Sequence, residues 1–357
     1  MQLVVEALPS SPVESAEGVG LKYVTDEMPG ITRKKSGKNF AYFDVNGDRI
    51  RDQKTIQRIN SLAIPPAYKN VWICPLENGH LQATGRDAKG RKQYRYHPLW
   101  RSIRDQNKFS RMIAFSQALP DIRRQLEKDL SRPGLPKQKV IATVLKLMEL
   151  TRIRVGNEEY AKTNNSYGLT TLHDDHVNVS GSKIQFEFRG KSGVDHAIEV
   201  TDKRLAKIVK RCQDLPGQEL FQYLDDQAQA QDITSTDVND YLKNITEQDF
   251  TAKDFRTWAG TVLAASHLAE MGKFTSQTAA KKNITQAIKS VSAYLGNRPA
   301  TCKKYYVHPN VLEAYLDESL HDVVEKHHEI VIDDKHALQC DELIVVALLD
   351  GRSSNDL

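Results

Sequence analysis

The hydrophobic period of this 357-residue chain changes once, and that change divides it into two kinds of structure. In residues 21–98 apolar side chains alternate in short runs broken by turn signals: 41–45 before Asn46-Gly47, then 71–74, 81–84 and 94–96. A short helix is expected over 53–62. From about Ser110 the period becomes helical, through 112–130, 140–153, 203–212, 235–244, 252–271 and 275–295. Inside that region the runs 176–179, 184–188 and 196–200 alternate with period two. Ser180-Gly181-Ser182 and Gly190-Lys191-Ser192-Gly193 supply the turns of this three-stranded island. A single core stops growing at roughly 250–300 residues, so two are expected. The resulting α+β organisation has a loose leader at 1–20, a small β-rich N-terminal domain at 21–105, a larger mainly α domain at 106–317 and an acid-rich C-terminal tail at 318–357.

With 39% hydrophobic and 27% charged residues, the composition is that of a globular protein rather than a disordered one. No apolar run approaches the ~18 residues of a membrane span, and Met1-Gln2-Leu3-Val4-Val5 lacks the pattern of a secretory signal. Membrane insertion and secretion are therefore not expected. Cys74, Cys212, Cys302 and Cys340 form no CxxC pair, which argues against structural zinc and a disulfide framework and fits a reducing cytoplasm. His173-Asp174-Asp175-His176 and His327-His328 lack HExxH spacing, so no metal is expected. In Gly190-Lys191-Ser192 the earlier glycine of a P-loop would fall at Gln185, and the context is a hairpin; no nucleotide triphosphate site follows. The net charge is only +4, but basic residues gather at 33–35, 86–104 and 303–304, which suits a polyanionic partner.

Four segments could carry chemistry. Tyr305-Tyr306 follows Lys303-Lys304 and precedes a helix-starting His308-Pro309; a phenol ionises only near pH 10, and neighbouring cations would raise its reactivity. Adjacent helical side chains diverge by roughly 100°, so the two tyrosines cannot face one target. Arg154 stands at a junction between helices marked by Gly156-Asn157, where a surface arginine is the ordinary alternative. Lys191 occupies a Gly-flanked hairpin tip, usually the place of a solvated lysine but also a way to present a mobile point charge. Thr251 is a candidate N-cap for a helix carrying Lys253 and Arg256 one turn apart on one face, suited to an anionic phosphate or, more plainly, to pairing with Asp254. Phe255 and Trp258 are expected in the core.

Taken together, Arg154-Val155-Gly156-Asn157-Glu158-Glu159-Tyr160, Gly168-Leu169-Thr170-Thr171-Leu172, the Gly190-Lys191-Ser192 hairpin, the run from Lys253 through Thr261, and Leu295-Gly296-Asn297 with Tyr306-Val307-His308-Pro309 resemble the type IB DNA topoisomerases, specifically the small bacterial enzymes similar to the poxvirus one. The likeness runs from about Lys22 to Tyr315. It implies a clamp around double-stranded DNA and relaxation of supercoils of both signs through a 3′-phosphotyrosine intermediate, strand rotation and religation. It also implies a monomer of the cytoplasm, associated with the nucleoid, that uses no cofactor, ATP or metal. Counting from Gly296-Asn297 selects Tyr306 as nucleophile. Arg154 and Arg256 would clamp the nonbridging phosphate oxygens, and Lys191 would be the general acid, with Lys253 assisting a proton relay. Asn297 stands where the poxvirus-like pattern has a histidine, and can donate one hydrogen bond to a phosphate oxygen.

The stretch 87–97 resembles the family segment that approaches the DNA major groove. Alternation puts Tyr94 and Tyr96 on one strand face and Gln93 and Arg95 on the other. Gln93 would read an adenine edge, while Arg91, Lys92 and the tyrosine hydroxyls would contact phosphates. A tyrosine recombinase would share the nucleophile, but usually has His-x-x-Arg where this chain has Lys253-Asp254-Phe255-Arg256, and its partner domain is typically helical. A noncatalytic DNA-binding protein would not require a tyrosine so placed.

Overall fold

The computed structural model describes residues 12–37, 39–88, 90, 92–327 and 330–353, so Arg91 and His328 lie outside the described residues. The chain divides into two compact units, Met1–Phe109 and Ser110–Leu357.

In the first unit α1 (Pro12–Glu17) precedes β1 (Ile31–Ser36), β2 (Asn39–Phe43), α2 (Gln53–Ser61), β3 (Lys69–Ile73), β4 (Leu81–Arg86) and β5 (Lys92–Tyr96). The strands form one antiparallel sheet in the order β2-β1-β3-β4-β5. Asp52 caps α2 by accepting from the Thr55 N–H at 2.8 Å. This sets Ile59 on Ile31, Val71, Ile73 and Ala83 of the sheet, the main core of the unit. The expected loose leader is partly built in: Ala16 of α1 is fully buried with Leu21 and Trp100.

Helix α3 (Pro98–Leu130) carries the boundary between the units. The second unit continues with α4 (Lys137–Thr151), α5 (Glu158–Asn164), β6 (Val177–Ser180), β7 (Lys183–Arg189), β8 (Asp195–Thr201) and α6 (Lys203–Gln213). A short hairpin, β9 (Gln222–Leu224) with β10 (Ala230–Asp232), leads into α7 (Ser235–Thr246), α8 (Ala252–Glu270), α9 (Gln277–Tyr294) and α10 (Pro299–Tyr306). The chain closes with α11 (Pro309–Leu316), α12 (Ser319–His327) and α13 (Cys340–Ser353). The three-stranded island is β6-β7-β8, whose middle strand buries Ile184, Phe186 and Phe188 on one face as its alternation requires. Helix α8 is buried on nearly every side, from Phe255 to Leu268, which makes it the central helix of the unit.

Residues 318–353 do not trail away as the acid-rich tail suggested. Val345, Leu348 and Leu349 of α13 are buried, and Glu342 enters a buried ionic cluster. Arg123 of α3 donates to Glu149 of α4 at 2.7 Å and to both oxygens of Glu342 at 2.8 and 3.0 Å. Glu342 also accepts the indole N–H of Trp258 on α8 at 2.9 Å. Burial opposes the Arg123 charge, but the two carboxylates outweigh it and raise the guanidinium pKa. Four helices are thus pinned at one point. Removing one partner of such a cluster strands charges out of water, so Arg123→Ala is expected to cost about 3–5 kcal/mol in urea unfolding. An unchanged midpoint would show that the cluster does not hold α13 in place.

Candidate active site

Arg154 follows the C-cap of α4, where Arg152 adopts a left-handed conformation (φ 59°) and ends the helix. The loop that carries Arg154 is held by the Gly168-Leu169-Thr170-Thr171 segment. Leu169 N–H donates to the Arg154 carbonyl at 2.8 Å, while the Thr170 N–H and hydroxyl both donate to the Val155 carbonyl. A β-carbon on Gly168 would lie 2.6 Å from the Arg154 carbonyl oxygen, and one on Gly156 would lie 2.7 Å from the Thr170 hydroxyl. Gly168 is therefore set by the closeness of two backbones, and Gly156 by its φ of +118° and the threonine hydroxyls against it. The guanidinium of Arg154 then donates to the Gly296 carbonyl at 3.0 Å and to Asn297 Oδ1.

Arg256 comes from the second turn of α8, whose start is fixed by Asp254 accepting the N–H and hydroxyl of Thr251 at 2.8 and 2.9 Å. It is only 5% exposed. Its guanidinium donates to the Arg152 carbonyl and, at 2.7 Å, to that of Leu295. Lys253, one turn earlier, is exposed and does not enter this buried arrangement. The helix end that buries Arg256 leaves Lys253 in solvent. Asp254 is taken up by the cap.

Tyr306 ends α10. The Arg256 guanidinium lies 5.5 Å from the centroid of its ring. Tyr305 turns outward, 37% exposed, with the Lys304 ammonium 5.2 Å from its ring centroid. A β-carbon on Gly260 would lie 2.4 Å from the Tyr306 carbonyl oxygen, so α8 and α10 approach through a glycine. Thr261 beside it accepts the His308 N–H at 3.1 Å. His308 caps α11, and Pro309 occupies its first turn.

Burial pushes the Arg154 and Arg256 guanidiniums below their usual range, and at Arg256 the Arg154 charge adds to it. Among the described residues neither is bonded to a carboxylate; each is held by neutral oxygens. Arg256 Nε and Asn297 Nδ2 are buried donors without a protein partner. Such an arrangement can receive an anion, because neutral acceptors orient a guanidinium without cancelling its charge.

Lys191 sits exposed on the turn between β7 and β8, closed by Gly190 N–H donating to the Val194 carbonyl at 2.7 Å. No direct bond ties it to the arginines. The missed neighbour is His196 on β8, which lines the same cleft as Arg154, Arg256 and Leu295. Burial and both arginines lower its pKa, which favours the neutral imidazole. A lone histidine in an alternating strand gave no signal of this. In the Asp174-rich segment, His173, Asp175 and His176 bring ligand atoms within 4.8 Å of one another. His176 Nδ1 is already engaged, accepting the His173 N–H at 3.0 Å.

On β5 of the first unit the Tyr94 and Tyr96 rings stack at 5.9 Å, on one face as alternation requires. Tyr94 is 46% exposed and Tyr96 is half-buried. Lys92 is not an uncommitted cation: its ammonium lies 2.7 Å from Asp26, which raises its pKa. Gln93 donates to Asp87 at 3.1 Å.

Two family models match the chain. Residues 97–331 match the catalytic core of eukaryotic DNA topoisomerase I, and residues 39–87 match the N-terminal domain of bacterial DNA topoisomerase IB. The DNA topoisomerase 1B of Acanthamoeba polyphaga mimivirus is 36% identical over 295 residues, covering 81% of this chain and 88% of the viral one. The vaccinia virus (strain Copenhagen) DNA topoisomerase 1B is 24% identical over 261 residues, covering 72% and 79%. With the buried Arg256 and the half-buried Arg154 beside one tyrosine and both units matched, the chain belongs to the type IB DNA topoisomerases, isomerases that act on DNA.

Proposed function

We propose that this chain relaxes supercoiled DNA of both signs by reversible single-strand cleavage, with Tyr306 as nucleophile and without ATP or metal. The observation that carries the reading is the pair of guanidiniums, Arg256 buried and Arg154 half-buried, oriented by neutral oxygens and adjoining one tyrosine. The Tyr306 phenol oxygen gives up its proton to solvent and attacks the phosphorus of a DNA phosphodiester, the bond to the 5′ oxygen breaks as that oxygen takes a proton from Lys191, and a 3′-phosphotyrosine forms. One phosphodiester replaces another, so no external energy source is required. The free 5′-hydroxyl strand rotates about its partner before the reverse attack restores the backbone.

Arg154 and Arg256 stabilise the charge that grows on the nonbridging oxygens, where a preorganised donor is typically worth about 10²–10³ in rate. Asn297 donates through Nδ2 to one of those oxygens, its Oδ1 being occupied by Arg154. Lys191 protonates the leaving 5′ oxygen, and the exposed Lys253 assists the relay. In the first unit the stacked Tyr94 and Tyr96 and the segment from Arg91 to Gln93 contact the duplex, the tyrosine hydroxyls donating to phosphates and Gln93 reading a base edge. Lys92 and Gln93 would exchange Asp26 and Asp87 for those contacts.

Tyr306→Phe is expected to abolish plasmid relaxation in EDTA without ATP, and with it the covalent protein–DNA adduct, while DNA binding persists. Full relaxation by this variant would end the assignment. Lys191→Ala is expected to slow cleavage by about 10²–10⁴-fold on ordinary DNA. It should recover on DNA carrying a 5′-bridging sulfur, because a thiol of pKa about 8.5 leaves without protonation. Equal loss on both substrates would remove Lys191 from the acid role.

A further inference from the structure

His196 leaves the Lys191 turn on β8, opposite Phe188 of β7, and their rings stack with centroids 5.0 Å apart and planes 19° apart. Two glycines from distant parts of the chain close on this imidazole. A β-carbon on Gly190 would lie 2.6 Å from its Cδ2 and Nε2, and one on Gly296 would lie 2.5 Å from its Cε1. Real β-carbons do not approach other atoms so closely, so both positions depend on the space the ring occupies. At Gly190 the backbone offers no other reason for glycine: its φ of −94° is open to any residue. Gly296, at φ +58°, needs glycine for its conformation as well.

What each glycine adjoins gives the contact its meaning. Gly190 immediately precedes Lys191. Gly296 immediately precedes Asn297, and its carbonyl accepts from Arg154. One ring therefore touches the backbone carrying the mobile lysine and the backbone joined to the arginine. The charged groups facing it are Arg154 and Arg256, with Asp195 next to it on β8. An imidazolium would repel the arginines, and the neutral ring does not.

We propose that His196 is a positioning residue: wedged between Gly190 and Gly296, it sets the Lys191 turn against the Arg154–Asn297 side of the site. Lys191 is otherwise on an exposed turn, and this contact delivers its ammonium to the leaving oxygen of a phosphate held by the arginines. The inference rests on the reading of Lys191 as the acid and adds what aims it. Its signature follows from the chemistry. A residue that acts only through proton delivery matters when the leaving group must be protonated and not otherwise.

The test is single-turnover cleavage by the full-length protein of one duplex carrying either oxygen or sulfur at the 5′-bridging position. His196→Ala is expected to slow cleavage of the oxygen substrate by about tenfold or more. The sulfur substrate should recover most of that loss, and His196→Ala should add little in a Lys191→Ala background. If His196→Ala does not fold, Gly190→Ala pushes the ring from the turn side and should give the same oxygen-selective loss. Equal loss on both substrates, with Lys191→Ala still rescued by sulfur, would overturn the role of His196 while leaving that of Lys191 intact. No loss in His196→Ala would overturn it too. Failure of sulfur to rescue Lys191→Ala would instead remove the acid assignment and the inference built on it.

Discussion

Two guanidiniums, Arg256 buried and Arg154 half-buried, held near one tyrosine without a carboxylate are the constraint that organises the second unit. Burying a cation costs several kcal/mol unless a counter-charge or a full set of acceptors meets it. Carboxylates would be the strongest partners, but they would also spend the charge. Here the acceptors are the carbonyls of Arg152, Leu295 and Gly296 and the amide oxygen of Asn297. Neutral acceptors hold direction and leave the positive field for an anion. The lowered guanidinium pKa values express the cost of this choice: at neutral pH the charged pair opposes folding.

That cost must be offset outside the site, and the architecture shows where. Arg123 is a third guanidinium drawn largely out of water, but it is paired with Glu149 and Glu342, and its pKa moves in the opposite direction. The same Glu342 accepts from Trp258, two residues beyond Arg256 on α8. The helix that carries an unpaired arginine at one position is therefore anchored, half a turn later, to a neutralised cluster. The cost at Arg256 and the stability behind it share one helix.

The sequence allowed the two-part architecture to be read because it is written in local periodicity. Alternation located β2, β3, β4 and β5 of the first unit, though not β1, and the β6-β7-β8 island, and Thr251 and His308 marked helix starts through chemistry that acts within three residues. Motifs likewise picked out Arg154, Arg256 and Tyr306, although only the fold brings them together. What stayed hidden has the opposite property. Glu342 read as part of an acidic tail because its partner Arg123 lies 219 residues away. Lys92 read as an available cation because Asp26 is 66 residues distant. Lys253 was grouped with Arg256 by helical spacing, which says which residues share a face but not how far burial extends toward the helix end.

Glycine shows how such long-range information can nevertheless lie in a sequence without being legible there. Gly190 reads as a turn residue, and a turn does follow it. Its φ, however, demands nothing, and the missing side chain is explained by an imidazole on the neighbouring strand. Gly260 sits mid-helix, where glycine costs about 1 kcal/mol relative to alanine. The Tyr306 carbonyl occupies the space a β-carbon would need. Gly156 and Gly168 face one another beneath Arg154 for the same reason. At each of these points two backbones, or a backbone and a ring, must meet at a distance that no other residue permits. The polar side chains supply the chemistry, but their separation is set by what these positions lack.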